Sequence, residues 1–299
     1  MPTKTKKIIT LLLRTIKKWI LFPIKLTKEY KAKAALPPLI SHDASAVRAI
    51  GSAMHETLTN TMTPREQGLI DLIEKRRTYL LNSNAEIAVI DYGAGSPNAN
   101  RSKEEMNKGI QSTELIANIC RASKPAFWAT FLFKLIQKLE PSSCVELGSC
   151  FGISAAYQAA ALHINEKGTL VTLEGSPEIA KIAKETLESL NHHSTSVIIG
   201  EFNETFNGVL RSSSPIDFFF NDGHHDHDAV IKYFNEALPY LSDQAIIIFD
   251  DISWSAGMRK AWREIENDER VNVSIDFQSI GIALIGKDLP VKEAFRIPL

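Results

Sequence analysis

The chain has 299 residues, enough for one large α/β domain with an extension or for two modest domains, and its 44% hydrophobic and 23% charged content is that of an ordinary globular protein. The net charge of −1 hides an asymmetry: Lys and Arg crowd the first thirty-three residues, where Glu29 is the single acid, so the remaining body is acidic. That balance argues against nucleic acid as a main partner of the core.

In chain order, residues 4–22 come first, and they are basic and apolar together. At 100° per residue Ile9, Leu12, Leu13, Ile16, Trp19 and Ile20 share one face, and Lys6, Lys7, Arg14, Lys17 and Lys18 take the other. Charges interrupt the apolar run before it reaches the length of a spanning helix or a good signal peptide. A basic amphipathic helix with an interfacial Trp fits an anionic membrane surface, and the competing reading is a helix packed on the body or on a twin subunit in a homodimer. The expected location is cytoplasmic, peripheral on the inner face of the membrane under the first reading.

Pro37-Pro38 is expected to end this segment and begin a linker. Thr63-Pro64-Arg65-Glu66 is a capping box with proline at the first helical position, so a helix starts there, with Leu69, Ile70, Ile73 and Leu80 on its apolar face. Glu86 to Tyr92 reads as a strand turned by Gly93-Ala94-Gly95-Ser96, and the polar stretch from Pro97 to Gln111 reads as a loop. Phe127, Trp128, Phe131, Leu132, Leu135, Ile136 and Leu139 predict an amphipathic helix whose stripe packs on a sheet.

From Cys144 onward, short apolar runs alternate with helical patterns, the signature of a parallel sheet covered on both faces. The expected strands are 144–147, 169–173, 196–199, 216–220 and 245–249, with Ser176 capping the helix that begins at Pro177. The runs 271–275 and 280–285 lie too close together for a parallel crossover and must form an antiparallel hairpin. The three cysteines, Cys120, Cys144 and Cys150, have no metal-type spacing and read as buried thiols of a reducing compartment. Cys150 lies in a glycine loop, where a reactive thiol is the alternative to a packed one.

Cys-Val-Glu-Leu-Gly-Ser-Cys-Phe-Gly-Ile-Ser, residues 144–154, is the stretch the rest is arranged around. A strand ends in glycines and a helix follows at once, so backbone can approach a ligand closely. Open α/β sheets bind ligands at the carboxyl ends of their strands, and those ends carry Glu146, Gly148, Glu174, Glu201, Asp222, Asp250 and Asp251. Glu174 ends the second strand, where a carboxylate can accept both hydroxyls of a ribose. Its distance from the first glycine suits a nucleotide-binding βαβ unit.

The Glu146-x-Gly148-x-x-x-Gly152-x-Ser154 pattern resembles the first motif of class I methyltransferases that use S-adenosylmethionine. Asp222-Gly223-His224-His225 resembles the Asp-Gly-x-His turn of a branch related to the catechol-type O-methyltransferases. The resemblance covers roughly residues 113–287, and Asp91 to Ser96 is similar to an element upstream of the core in one bacterial branch. It implies a seven-stranded, Rossmann-like, mostly parallel α/β sheet with an antiparallel last hairpin, helices on both faces and an N-terminal helical extension. The chain then divides into the basic segment 1–36, an extension over 37–112 that covers the active site, and a cofactor domain over 113–299.

The same resemblance implies a set of site residues. Gly148, Ser149, Gly152 and Ser154 would meet the cofactor, Glu174 its ribose, Glu201 and Phe202 its adenine, and Glu146 and Asp222 its methionine end. In metal-dependent relatives the aspartate after strand four and an Asp-Asn pair after strand five bind a divalent cation. Here that set is Asp222, Asp250 and Asp251, which suits Mg²⁺. Where those relatives place a lysine base, this chain has His225, so Asp222, His225 and Asp250 are the expected catalytic group. Zinc on the three histidines of the turn does not match the spacing of a closed site.

The expected function is therefore O-methylation of a small-molecule acceptor by S-adenosylmethionine. Two rivals stay open: a nicotinamide oxidoreductase, and a membrane-associated scaffold that has lost its chemistry. The first is disfavoured because the turn lacks G-x-G-x-x-G and none of the six tyrosines has a lysine four residues later.

Overall fold

The computed structural model describes residues 27–93, 95, 101–191, 194–287, 289 and 292–299. The amphipathic 4–22 stretch lies outside them. Helices precede the sheet: α1 over 27–35, α2 (Pro37–Ile40), α3 (Ser45–Thr59) and α4 (Pro64–Leu81). A two-stranded antiparallel ribbon of β1 (Glu86–Asp91) and β2 (Ile110–Leu115) flanks the short α5 (Lys103–Lys108). Then come α6 (Ile116–Cys120) and α7 (Ala126–Leu139).

The main unit alternates β3 (Ser143–Leu147), α8 (Ile153–Asn165), β4 (Thr169–Glu174), α9 (Pro177–Ser189), β5 (Thr195–Ile199) and α10 (Phe202–Ser213). It continues with β6 (Ile216–Asn221), α11 (His227–Ala237), β7 (Leu241–Phe249), α12 (Ala256–Asn267), β8 (Val273–Asp276), β9 (Gly281–Gly286) and β10 (Glu293–Arg296). The sheet order is β10-β8-β9-β7-β6-β3-β4-β5, with β9 antiparallel to both of its neighbours. The expected seven strands are present, and an eighth, β10, pairs parallel to β8 at the edge.

Period-two alternation divides the core. Cys144, Phe218, Phe220, Ile246 and Ile248 face the layer of α7, α8 and α9, while Val145, Leu147, Phe219, Ile247 and Phe249 face α10, α11 and α12. The stripe of α7 is core packing, as its spacing predicts.

The linker expected after Pro37-Pro38 is a correction. Pro37 starts α2, where a first-turn proline sacrifices no hydrogen bond. Val47, Ile50, Ala53 and Met54 of α3 are fully buried in the same core as Phe131 and Leu132. The capping box at Thr63 forms as predicted, and Glu66 does more than cap. One oxygen accepts the Thr63 N–H at 2.6 Å, and the other accepts from buried Lys134 at 2.8 Å, tying α4 to α7.

The expected loop over 97–111 is also corrected, since it contains α5 and the start of β2. Ser102 and Glu105 form a second capping box, and the solvent-facing half of the ribbon is polar enough to read as a loop. Ser176 sits at the N-cap position of α9, but its hydroxyl makes no cap. It accepts the Ile90 N–H at 3.2 Å and so docks the ribbon onto the end of β4.

Candidate active site

A cavity of 890 Å³ opens at the carboxyl ends of β3, β4, β6 and β7, beneath the ribbon. On its β3 side the chain reverses at Gly148, whose φ of +91° and whose closeness to the neighbouring turn demand glycine. A Cβ there would lie 2.5 Å from the Asp222 carbonyl oxygen. The Gly148 and Ser149 N–H groups both donate to the Leu173 carbonyl at 3.0 Å, fixing the turn against β4. Gly148, Ser149, Cys150 and Ser154 line the cavity; Gly152 instead packs behind the turn, against Ala183.

Glu174 reaches the cavity from the end of β4. Its two oxygens accept the Cys150 and Ser176 backbone N–H groups, each at 2.9 Å. Burial is the largest influence on its acidity and outweighs those donors, raising the carboxyl to about 7. Each oxygen keeps a second lone pair for a ligand hydroxyl.

Glu146 requires a correction. It is fully buried, and its side chain points toward the α8 layer, because strand neighbours alternate sides. Gln158 donates to one oxygen at 2.7 Å and Thr172 to the other at 2.6 Å, and burial raises the carboxyl to about 7. Thr172 in turn holds the Ser149 hydroxyl. Glu146 therefore braces the glycine turn from behind and does not line the cavity. Glu201 is corrected too: it begins α10 and accepts from the Asn203 side chain outside the cavity, whereas Phe202 lies in the wall with its ring over Gly223.

Charged side chains make up the opposite side. Asp222, His225 and Asp250 each offer an atom within 4.8 Å of the others. Asp251, expected as a metal ligand, falls outside this convergent set; its carboxylate lies 3.6 Å from His225 Nε2. That nitrogen is buried and lies 3.7 Å from Asp222, beyond hydrogen-bond range of either acid, and it has no hydrogen-bond partner among the described residues. The imidazole rests on Trp254, with ring centres 5.4 Å apart.

Lys124, which sequence reasoning missed, enters from the turn before α7. Its ammonium pairs with buried Asp250 and lies 3.3 Å from Asp222. A divalent cation among these acids would sit against that positive charge. The residues in this arrangement do not fit the Mg²⁺ that the resemblance implied.

The other histidines of the turn serve elsewhere. His224 faces Tyr233, and burial lowers its basicity. His227 pairs with Asp228 and Glu264. Asp91 anchors the ribbon's turn by accepting from Arg101 at 2.6 Å and from the Gly93 N–H at 2.9 Å. The three cysteines are free, and burial pushes the Cys150 thiol up to about 12.

Comparison with known proteins fits this geometry. Residues 145–252 match a family model described as a methyltransferase domain. Two solved structures share the fold. The SAH-bound methyltransferase PaMTH1 of Podospora anserina is 16% identical, with 76% of this chain and 89% of that one covered at a TM-score of 0.51. A putative caffeoyl-CoA O-methyltransferase of Staphylococcus aureus is 16% identical, covering 62% and 93% at 0.50. The O-methyltransferase of Bacillus cereus in complex with SAH is 23% identical, covering 57% and 86% at 0.49. No curated protein matches the chain. The fold is shared with the first two of these solved methyltransferases, and residues 145–252, from the glycine turn through the acids after β7, are similar to a methyltransferase domain.

Proposed function

We propose that this protein is an S-adenosylmethionine-dependent methyltransferase that methylates an oxygen of a small-molecule acceptor. The observation that carries this reading is the two-sided cavity. A backbone-lined turn with Glu174 occupies one side, and His225 with its unpaired nitrogen stands among carboxylates on the other. Bound S-adenosylmethionine supplies a methyl group on sulfonium, and the C–S electron pair returns to sulfur as the acceptor oxygen takes the carbon. Glu174 would accept the ribose hydroxyls, and Phe202, in the same cavity wall, would stand beside the adenine. His225 Nε2 takes the proton from the acceptor hydroxyl, and the Asp222 carboxylate, 3.7 Å from that nitrogen, stabilises the resulting imidazolium by charge.

The test is incubation with methyl-labelled S-adenosylmethionine and a set of phenols, catechols and amines. Label should appear in a methyl ether together with one equivalent of S-adenosylhomocysteine. Labelled methylamines with no ether would move the acceptor atom to nitrogen.

The charge pattern of residues 4–22 supports peripheral attachment to an anionic membrane. Among the described residues no helix is long and apolar enough to cross one. Ala32 and Leu36 are buried in the core, so a truncation that probes attachment should stop at Leu26. The truncated protein should lose sedimentation with anionic liposomes; a full-length chain that ignores them at low salt would remove the proposal.

A further inference from the structure

We infer that Lys124 is a catalytic residue that takes the place of a divalent cation, so that this active site works without metal. The inference rests on the methyltransferase reading for its chemical consequence, and on geometry alone for the site itself. Asp250 is 2% exposed and Lys124 7% exposed, so their pairing is a buried ion pair, not surface decoration. A buried carboxylate such as Asp250 must be compensated, and the part-buried Asp222 adds a second negative charge at the same point. The ammonium bridges that point, paired with Asp250 and 3.3 Å from Asp222, and stands 5.8 Å from the centre of the Phe220 ring.

Its support is stiff. Lys124 lies between Ser123 and Pro125, and Pro125 is the N-cap of α7, whose own side chains are buried against α3 and α8. Lys124, Asp222, His225 and Asp250 all line the one cavity. An acceptor oxygen that hands its proton to His225 becomes an oxyanion beside a fixed positive charge. That is the electrostatic task a metal ion performs in a Lewis-acid site. Methyl transfer then breaks the sulfur–carbon bond and forms the oxygen–carbon bond, while Lys124 keeps its protons throughout.

The experiment is Mn²⁺ binding, followed by electron paramagnetic resonance, to the full chain and to Lys124→Ala and Lys124→Arg variants. S-adenosylhomocysteine titration of each reports whether it is folded. Wild type and Lys124→Arg should leave Mn²⁺ free, whereas Lys124→Ala should bind it at least about 100-fold more tightly through Asp222 and Asp250. Lys124→Ala should also slow methyl transfer by about 10²–10³-fold, while chelator leaves wild-type turnover unchanged. Mn²⁺ bound by wild type, or refused equally by wild type and a folded Lys124→Ala, overturns the inference. If Lys124→Ala does not fold, the wild-type and Lys124→Arg measurements still decide. Wild type that ignores S-adenosylhomocysteine sinks the methyltransferase reading instead, whatever Mn²⁺ does.

Discussion

The two sides of the cavity are built by opposite means. On the β3–β4 side, the turn from Gly148 to Ser154 and the end of β4 present backbone and one carboxylate, and nearly every polar group is already tied to a neighbour. On the β6–β7 side, Asp222, His225, Asp250 and Lys124 come from three separate stretches and meet through charge, with a ring nitrogen left over. The first arrangement, on the proposed function, is the cradle for the cofactor. The second, on the proposed function, is the reactive centre, where the His225 ring nitrogen is left without a hydrogen-bond partner among the described residues. Perturbing one side while measuring the other tests how separate they are.

The largest effect belongs to the charged side. His225→Ala should lower turnover by roughly 10²–10⁴-fold and leave cofactor affinity unchanged, as steady-state rates and calorimetry on the same preparation would show. An equal loss of cofactor affinity would mean that the two sides are one.

Next is the hinge between them. Gly148→Ala forces a side chain into a positive φ and against the Asp222 carbonyl, so stability should fall by about 2 kcal/mol or more. Thermal unfolding would report it. A variant as stable as wild type would show that the turn relaxes freely.

These sides also differ in how much the sequence reveals. Gly148, Ser149, Ser154, Glu174 and Phe202 stand at strand ends within consecutive βα units, so apolar runs and their terminating residues locate them from the order of amino acids alone. Glu146 stands at a strand end as well, yet alternation turns its side chain to the far face, where Gln158 and Thr172 receive it. Position along a strand is legible, whereas side-chain direction and the partner that captures it depend on packing. Lys124 carries no local signal at all. A lysine between serine and proline reads as an exposed turn, and only the path from α7 into β3 brings it to the acids of β6 and β7. Helix α3 hid for a similar reason: Pro37-Pro38 resembles a linker, and only the burial of Ile50 and Met54 reveals a core helix beyond it.

A smaller effect probes the cradle. Glu174→Ala should weaken S-adenosylmethionine binding by about 1–3 kcal/mol, because two ribose hydroxyls lose their acceptor. The pH dependence follows from the raised carboxyl. Burial lifts it to about 7, so below that value the folded protein holds a proton that an unfolded chain has released. Its contribution to stability therefore falls as pH rises from the ordinary carboxylate range toward 7, and levels off above. Binding favours the ionised acceptor, so cofactor affinity should rise as pH passes through about 7. Calorimetry at several pH values would check this, and Glu174→Gln should flatten the rise.

The smallest expected effect is none: removing residues 1–26 should leave cofactor affinity as it was, since the cavity is lined from residue 89 onward. A marked loss on titration of the truncated chain would add a third region to the comparison.

The most direct measurement is calorimetric titration of the full-length protein with S-adenosylmethionine and, separately, with NAD. One molecule of S-adenosylmethionine should bind per chain with a micromolar-range constant, near −8 kcal/mol, and NAD should give no heat. Clear binding of NAD with none of S-adenosylmethionine would contradict the account at its centre.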